Sequence, residues 1–484
     1  MELKNKKLLQ TGIFIDNKFT KSTDNSTFKV NNPANGKLVC TVANATEIDT
    51  NKAIHSAETA FKKWSTTNVL ERSKILKKWY QLIIDNKDDL ALLLTTEQGK
   101  PLNEALGEIN YGASFVEWYA EECRRTYGET IPFSNNSKRL KTIQQPIGVV
   151  AAITPWNFPT AMITRKVAPA IAAGCTVVLK PAEDTPLSAL ALAQLALEAG
   201  LPKGVLSILP TTNYKDIGRI LTTHPSIAKV SFTGSTTVGK LLMQQSASTL
   251  KKLSLELGGN APCIIFDDAE LDNAVKGAIA TKYRNAGQTC VCANRILVQK
   301  SIYPTFLKKY TEAVEKLKVG NGIKKNSTIG PLINQEAIDK IKNLLTDALE
   351  NGAKITLGGN QHKAGKLFFE PTIITNCTNE MQLSKEEIFG PVSSIFIFET
   401  EEEAIAMAND TEYGLAAYFF SENVNRVIRV SEKLEYGIIG INEGIISTAE
   451  APFGGIKQSG FGKEGSFYGI EEYQITKYIC IGNL

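Results

Sequence analysis

Apolar side chains recur at helical spacing through the first quarter of the chain. The pattern predicts helices over residues 48–64, 70–96 and 102–124. The texture then changes. Short, β-branched apolar runs at 147–154, 175–180, 204–209 and 229–232 alternate with helical patterns at 160–172, 187–199, 216–221 and 238–245. Such alternation predicts a parallel sheet covered by helices. A second series starts near Glu256. Its strands are predicted at 263–266, 295–298, 393–398 and 438–442, and its helices around 271–286, 303–317 and 335–349. The polar segment 127–141 has no core face and reads as a projecting hairpin or a loop. The tail 473–481 is strand-like, and an isolated strand needs a partner.

The chain has 484 residues, enough for two or more domains. Its net charge of +4 contains no long single-sign run, which argues against a nucleic-acid or membrane surface as its main business. The first ten residues lack an apolar stretch long enough for a signal peptide, and no window approaches a membrane span. Cysteines stand singly, apart from Cys290 and Cys292, and form neither a disulfide framework nor a zinc pattern. The expectation is a cytoplasmic protein of a reducing compartment, without a metal.

Candidate chemistry centres on Gly287-Gln288-Thr289-Cys290-Val291-Cys292. A thiol on a small polar turn beside backbone donors is set up to ionise. Cys292 is either a resolving thiol for an oxidised Cys290 or a small packed residue. The three histidines lie far from this turn in sequence. Glu256 ends a strand before Gly258-Gly259, where a carboxylate can act as a general base or merely cap a helix. Gly234-Ser235-Thr236-Thr237-Val238-Gly239-Lys240 has the letters of a phosphate loop, but Leu241 stands where magnesium needs Ser or Thr. A P-loop nucleotidase is therefore the weaker alternative, and a dinucleotide pyrophosphate at the helix start the stronger one. Lys180 and Glu183 close a strand, where ribose hydroxyls are commonly held. Gly460 to Gly465 matches G-x-G-x-x-G, but no strand precedes it, so a flexible loop is expected.

Five motifs in order then carry a resemblance. Thr154-Pro155-Trp156-Asn157-Phe158-Pro159, Phe232-Thr233-Gly234-Ser235, Glu256-Leu257-Gly258-Gly259-Asn260, Gly287-Gln288-Thr289-Cys290 and Glu387-Ile388-Phe389-Gly390-Pro391 together resemble the aldehyde dehydrogenase superfamily. The resemblance spans about Asn32 to Ile481. It implies two Rossmann-like α/β lobes and a small β element for oligomerisation. Residues 1–122 and 142–256 would bind the cofactor, 257–469 would carry the thiol, and 123–141 with 470–484 would join subunits into a dimer or tetramer. That element would give the two orphan strands a neighbouring subunit's sheet as partner. Cys290 is implied as nucleophile, Asn157 as oxyanion donor and Glu256 as the base that activates water. Thr154, Pro155, Trp156, Lys180, Glu183, Gly234, Ser235, Leu257, Glu387 and Phe389 are implied to hold NAD, with NADP also open. Finer likeness to the succinate-semialdehyde branch, in Ile163-Thr164-Arg165-Lys166, Tyr283-Arg284-Asn285 and Asn442 to Ser447, implies that Arg165, Arg284 and Ser447 bind a distal carboxylate. The expected substrate is succinic semialdehyde, or glutaric semialdehyde one carbon longer.

Overall fold

The computed structural model describes residues 1–134 and 137–482. They form two large sheets and three smaller ones. The first large sheet has a parallel centre in the spatial order Leu206–Ile208, Thr176–Lys180, Val149–Ile153, Ile227–Thr233, Lys252–Glu256. In chain order that is 3-2-1-4-5, so winding reverses between Val149–Ile153 and Ile227–Thr233. Open α/β sheets bind ligands at such a reversal, beyond the carboxyl ends of the strands. The antiparallel strands Ile13–Ile15 and Lys18–Thr20 extend one edge, and Gly460–Phe461 covers the other. The second sheet is mostly parallel. Ala261–Ile265 lies between Ala293–Gln299 and Ala416–Phe420 in it.

Helices cover both faces of these sheets for local reasons that can be named. Thr46 caps the helix Glu47–Trp64 in a capping box with Asp49. Pro159 and Pro186 each begin a helix, where a missing N–H costs nothing. Among the described residues no helix is long and apolar enough to cross a membrane.

Several sequence expectations need correction. The helix expected over 70–96 is two helices, Val69–Asp85 and Lys87–Gln98. Asn86 leaves helical geometry between them, and its side chain donates to the Leu82 carbonyl at 2.8 Å. The helix expected to run to 286 stops at Tyr283, because Asn285 and Ala286 adopt left-handed φ of 52° and 54°. The glycine-rich segment 460–465 is no free loop: Leu255 and Glu256 pair with Phe461 and Gly460. The tail strand Gln474–Gly482 pairs along its whole length with Lys138–Pro146 of the same chain. Thr130–Ile131 adds the third strand of that element. Within the polar arm, positions 135 and 136 lie outside the described residues.

Candidate active site

A cleft of about 430 Å³ opens at the reversal point of the first sheet. Pro155, Trp156 and Asn157 enter it from the end of Val149–Ile153, and Gly234 and Ser235 from the end of Ile227–Thr233. Leu257, Cys290, Glu387 and Phe389 complete the part that bears on chemistry. Ser235 caps the helix Thr236–Ser246 by accepting from the Val238 N–H at 3.4 Å. Gly239, the second glycine of the phosphate-loop pattern, is a packing glycine, since a Cβ there would lie 2.4 Å from Leu257. Lys240 is exposed and does not line the cleft. These two facts leave the P-loop reading without support. Trp156 meets Phe389 edge-on at 5.5 Å, and Phe389 holds a left-handed φ of 54°.

A nicotinamide dinucleotide fits this cleft on its donor set. Among the described residues, the hydroxyls of Thr154 and Thr233 are buried without a partner at the ends of the two strands that flank the reversal. The helix start at Thr236 offers backbone N–H groups suited to a pyrophosphate. Glu387 is a half-buried carboxylate, pushed up to about 7 by desolvation, that accepts only the Gly259 N–H at 3.2 Å among the described residues. Lys180 and Glu183 form an ion pair at 3.1 Å beside an adjoining depression that shares Ile333 and Asn334 with the cleft.

The thiol loop is held by a buried polar lattice. Asn285 accepts from Gln98 at 3.0 Å, and its backbone N–H donates to Glu104 at 2.8 Å. Its amide donates to the Asn157 carbonyl at 2.9 Å. Lys100 reaches the same carbonyl at 2.7 Å while paired with Glu108 at 2.5 Å. Glu108 in turn accepts from the Thr160 N–H at 2.8 Å, at the start of the helix Pro159–Ala173. The Asn157 side chain donates one N–H to the Gln288 carbonyl at 3.0 Å. Gly259 must be glycine, because a Cβ would sit 2.4 Å from the Cys290 carbonyl oxygen. Backbone and side-chain oxygens thus fix the strand end that carries Asn157 and the turn that carries Cys290 as one unit.

Charged groups surround the thiol on several sides. Burial pushes the Cys290 thiol up to about 12, with Arg165 and Arg284 pulling it down and Glu387 and Glu256 pushing it further. Glu256 is 2 % exposed and, among the described residues, neither oxygen has a hydrogen-bond partner. Burial, then the charge of Glu464, lifts its carboxyl well above the usual range, while Arg165 and Lys166 oppose the rise. Arg165 and Lys166 both pair with Glu464. Cys292 is buried and donates to the Lys282 carbonyl at 3.5 Å, and both thiols are free.

The structure therefore gathers Asn157, Cys290, Glu387, Phe389, Leu257, Gly234, Ser235, Pro155 and Trp156 in one cleft, with Glu256 beside it. Arg165 and Arg284 lie outside the cleft lining, near enough for both charges to act on Cys290. Glu464 occupies the Nε edge of Arg165, so a bidentate grip through that edge is closed. Ser447 is half-buried and, among the described residues, bonds to neither arginine. Sequence reasoning missed Lys100, Glu104, Glu108 and Glu464. Only Gln98-Gly99-Lys100-Pro101, a lysine between two helix breakers, offered a signal.

Residues 19–479 match the aldehyde dehydrogenase family. The mitochondrial succinate-semialdehyde dehydrogenase of Arabidopsis thaliana is 56 % identical over 483 residues, covering 100 % of this chain and 91 % of that protein. The glutarate-semialdehyde dehydrogenase of Pseudomonas aeruginosa is 52 % identical over 484 residues, covering 100 % of both. The crystal structure of an E. coli NADP-dependent enzyme superposes with a TM-score of 0.98 at 52 % identity, over 99 % of this chain and 100 % of that one. With its α/β lobes, its reversal-point cleft and its thiol in place, the chain belongs to the aldehyde dehydrogenase family and is an NAD(P)-dependent aldehyde dehydrogenase.

Proposed function

We propose that this enzyme oxidises succinic semialdehyde to succinate, with Cys290 as nucleophile, Asn157 as oxyanion donor and Glu256 as the base for hydrolysis. One observation carries the substrate: the charges of Arg165 and Arg284 both bear on the thiol, and among the described residues Arg284 Nε is buried without a hydrogen-bond partner. A buried cationic donor left open calls for an anion, and the far end of a semialdehyde supplies one. The names of the Arabidopsis and Pseudomonas relatives support the class, and the second also supports glutaric semialdehyde.

A nicotinamide held by Glu387 and the Trp156–Phe389 pair supplies the two-electron acceptor when bound. Before attack, the Cys290 thiol gives its proton to water in the cleft, and the charges of Arg165 and Arg284 favour the thiolate that remains. The sulfur then bonds the carbonyl carbon, and the oxygen's new charge falls to the Asn157 amide and the Cys290 N–H. Loss of hydride from that carbon leaves a thioester on Cys290. Glu256 takes a proton from water as the water oxygen bonds the acyl carbon, and the Cys290 sulfur departs. Its raised carboxyl predicts hydrolysis that quickens with pH, since only the ionised form can take the proton.

Glu183 favours NAD by binding two ribose hydroxyls and repelling a 2′-phosphate. Its ion pair with Lys180 at 3.1 Å softens that repulsion, so NADP is used as well. The three-stranded element supports a homo-oligomer, because Ile475, Tyr478 and Ile481 expose apolar surface along its outer strand.

The test is the purified enzyme with succinic semialdehyde, glutaric semialdehyde and butanal, each with NAD and NADP, read by near-ultraviolet absorbance across pH. We expect kcat/KM for succinic semialdehyde to exceed that for butanal by roughly 10²-fold or more. Equal rates on the acid-bearing and plain aldehydes would end the substrate reading.

A further inference from the structure

We infer that Ser459 and Asn260 are positioning residues for the Glu387 carboxylate, which they hold through the crossover between the two large sheets. The inference rests on the reading of Glu387 as a dinucleotide contact. Residues 257–260 form that crossover, between Lys252–Glu256 of the first sheet and Ala261–Ile265 of the second. Glu387 lies against it. A Cβ on Gly258 would come 3.2 Å from Glu387 Oε2, and the Gly259 N–H donates to Oε1 at 3.2 Å. One backbone N–H thus aims the carboxylate, and a pair of glycines is too free to aim that N–H alone.

Ser459 directs it from the side of the first sheet. Its buried hydroxyl donates to the Gly258 carbonyl at 2.7 Å and accepts from the Gly414 N–H at 3.0 Å. Its own carbonyl accepts from the Leu257 N–H at 3.0 Å. The Gly258 carbonyl and the Gly259 N–H share one planar trans peptide, so they point opposite ways. Holding the first therefore turns the second toward Glu387.

Asn260 acts from the side of the second sheet. Its carbonyl accepts from Arg295 Nη2 at 3.1 Å. Arg295 is buried, and its guanidinium also donates to the Met407 and Ala408 carbonyls, at 2.7 and 2.8 Å, and to the Tyr436 hydroxyl at 3.1 Å. Met407 and Ala408 close the helix Glu401–Asn409, whose last carbonyls carry partial negative charge and suit a cation. Arg295 is thereby anchored, and Asn260 with it. The Asn260 amide then donates to the Ser384 carbonyl at 2.6 Å, three residues before Glu387. The loop that bears the carboxylate is thus tied to the crossover twice, by its backbone at Ser384 and by its side chain at Glu387. The exposed Lys340 adds a bond to the Glu387 carbonyl at 2.6 Å. A ribose hydroxyl then meets a carboxylate already in place. A loose one would have to be ordered at each binding event, and ordering weakens affinity.

The test is calorimetric titration of NAD into the full-length enzyme without aldehyde. The proteins are wild type, Ser459→Ala, Asn260→Ala, Glu387→Ala, and each of the first two variants combined with Glu387→Ala. Glu387→Ala should raise the Kd roughly tenfold or more. Ser459→Ala and Asn260→Ala should each raise it about 3- to 10-fold. Added to Glu387→Ala, neither should raise it by more than about a further twofold, because each acts through the carboxylate. Losses that multiply in full would overturn the inference and leave Glu387 standing as a contact. An unmoved Kd in either single variant strikes that residue from the assignment. An unmoved Kd in Glu387→Ala removes the reading of Glu387 and this inference together. Where a variant does not fold, a crystal structure of the wild type with NAD decides. Glu387 bonded to both a ribose hydroxyl and the Gly259 N–H sustains the inference, and a carboxylate turned away from Gly259 rejects it.

Discussion

The helix start at Ser235 and the turn at Cys290 line the same cleft but are built on opposite plans. The first is a plain strand-to-helix turn with an exposed serine, a weak cap at 3.4 Å and free backbone donors. The second lies on successive left-handed residues and is tied by side chains from the distant helices Lys87–Gln98 and Leu102–Glu122. A left-handed alanine such as Ala286 persists only when its surroundings over-determine it. The difference follows from the tasks. A dinucleotide must enter and leave, and backbone N–H groups serve it without fixing anything. A nucleophile must sit within a fraction of an ångström of its target, which needs a lattice that cannot relax.

Substitutions on the two sides should therefore differ in kind, and the contrast can be broken in order of size. Lys100→Met leaves Glu108 buried and unpaired beneath Asn157. We expect a loss of about 3–5 kcal/mol in stability, seen as a large fall in Tm. A near-normal Tm would show that the lattice is ornamental. Asn157→Ala removes a donor at the oxyanion position and should lower kcat by about 10²–10³-fold, roughly 3–4 kcal/mol, with KM for the dinucleotide little changed. A loss confined to KM would move Asn157 from the chemical side of the comparison to the binding side. Ser235→Ala should cost only about 1 kcal/mol of stability and a few-fold in dinucleotide KM, with kcat unaffected. A fall in kcat there would erase the distinction.

Legibility in the sequence divides along the same line. Cys290, Asn157 and Glu256 stand in short, compositionally odd segments at strand ends, where function is expected and periodicity breaks. The alternation of strands and helices likewise marks the parallel sheets. The supporting lattice hides because Glu104 and Glu108 sit one turn apart on a regular helix, where an acid usually marks the wet face. Glu108 is in fact 3 % exposed, since a second helix start covers it. No pattern within one helix reports what packs against it from elsewhere in the chain. The break at Asn86 was hidden for a similar reason, because apolar spacing continues across it. Glu464 was obscured by glycines that read as flexibility. Their role is close approach, for Gly460 pairs directly with Glu256.

That last strand has a consequence for biosynthesis. Gly460–Phe461 and Glu464 lie far downstream of Cys290 in the chain, yet they seal the edge beside Glu256 and pair with Arg165 and Lys166. A nascent chain emerging from the ribosome displays its thiol turn long before this closure arrives. The centre matures only once residues 460–464 have been made, so a chain cut short upstream of residue 460 carries the nucleophile without the walls that govern it.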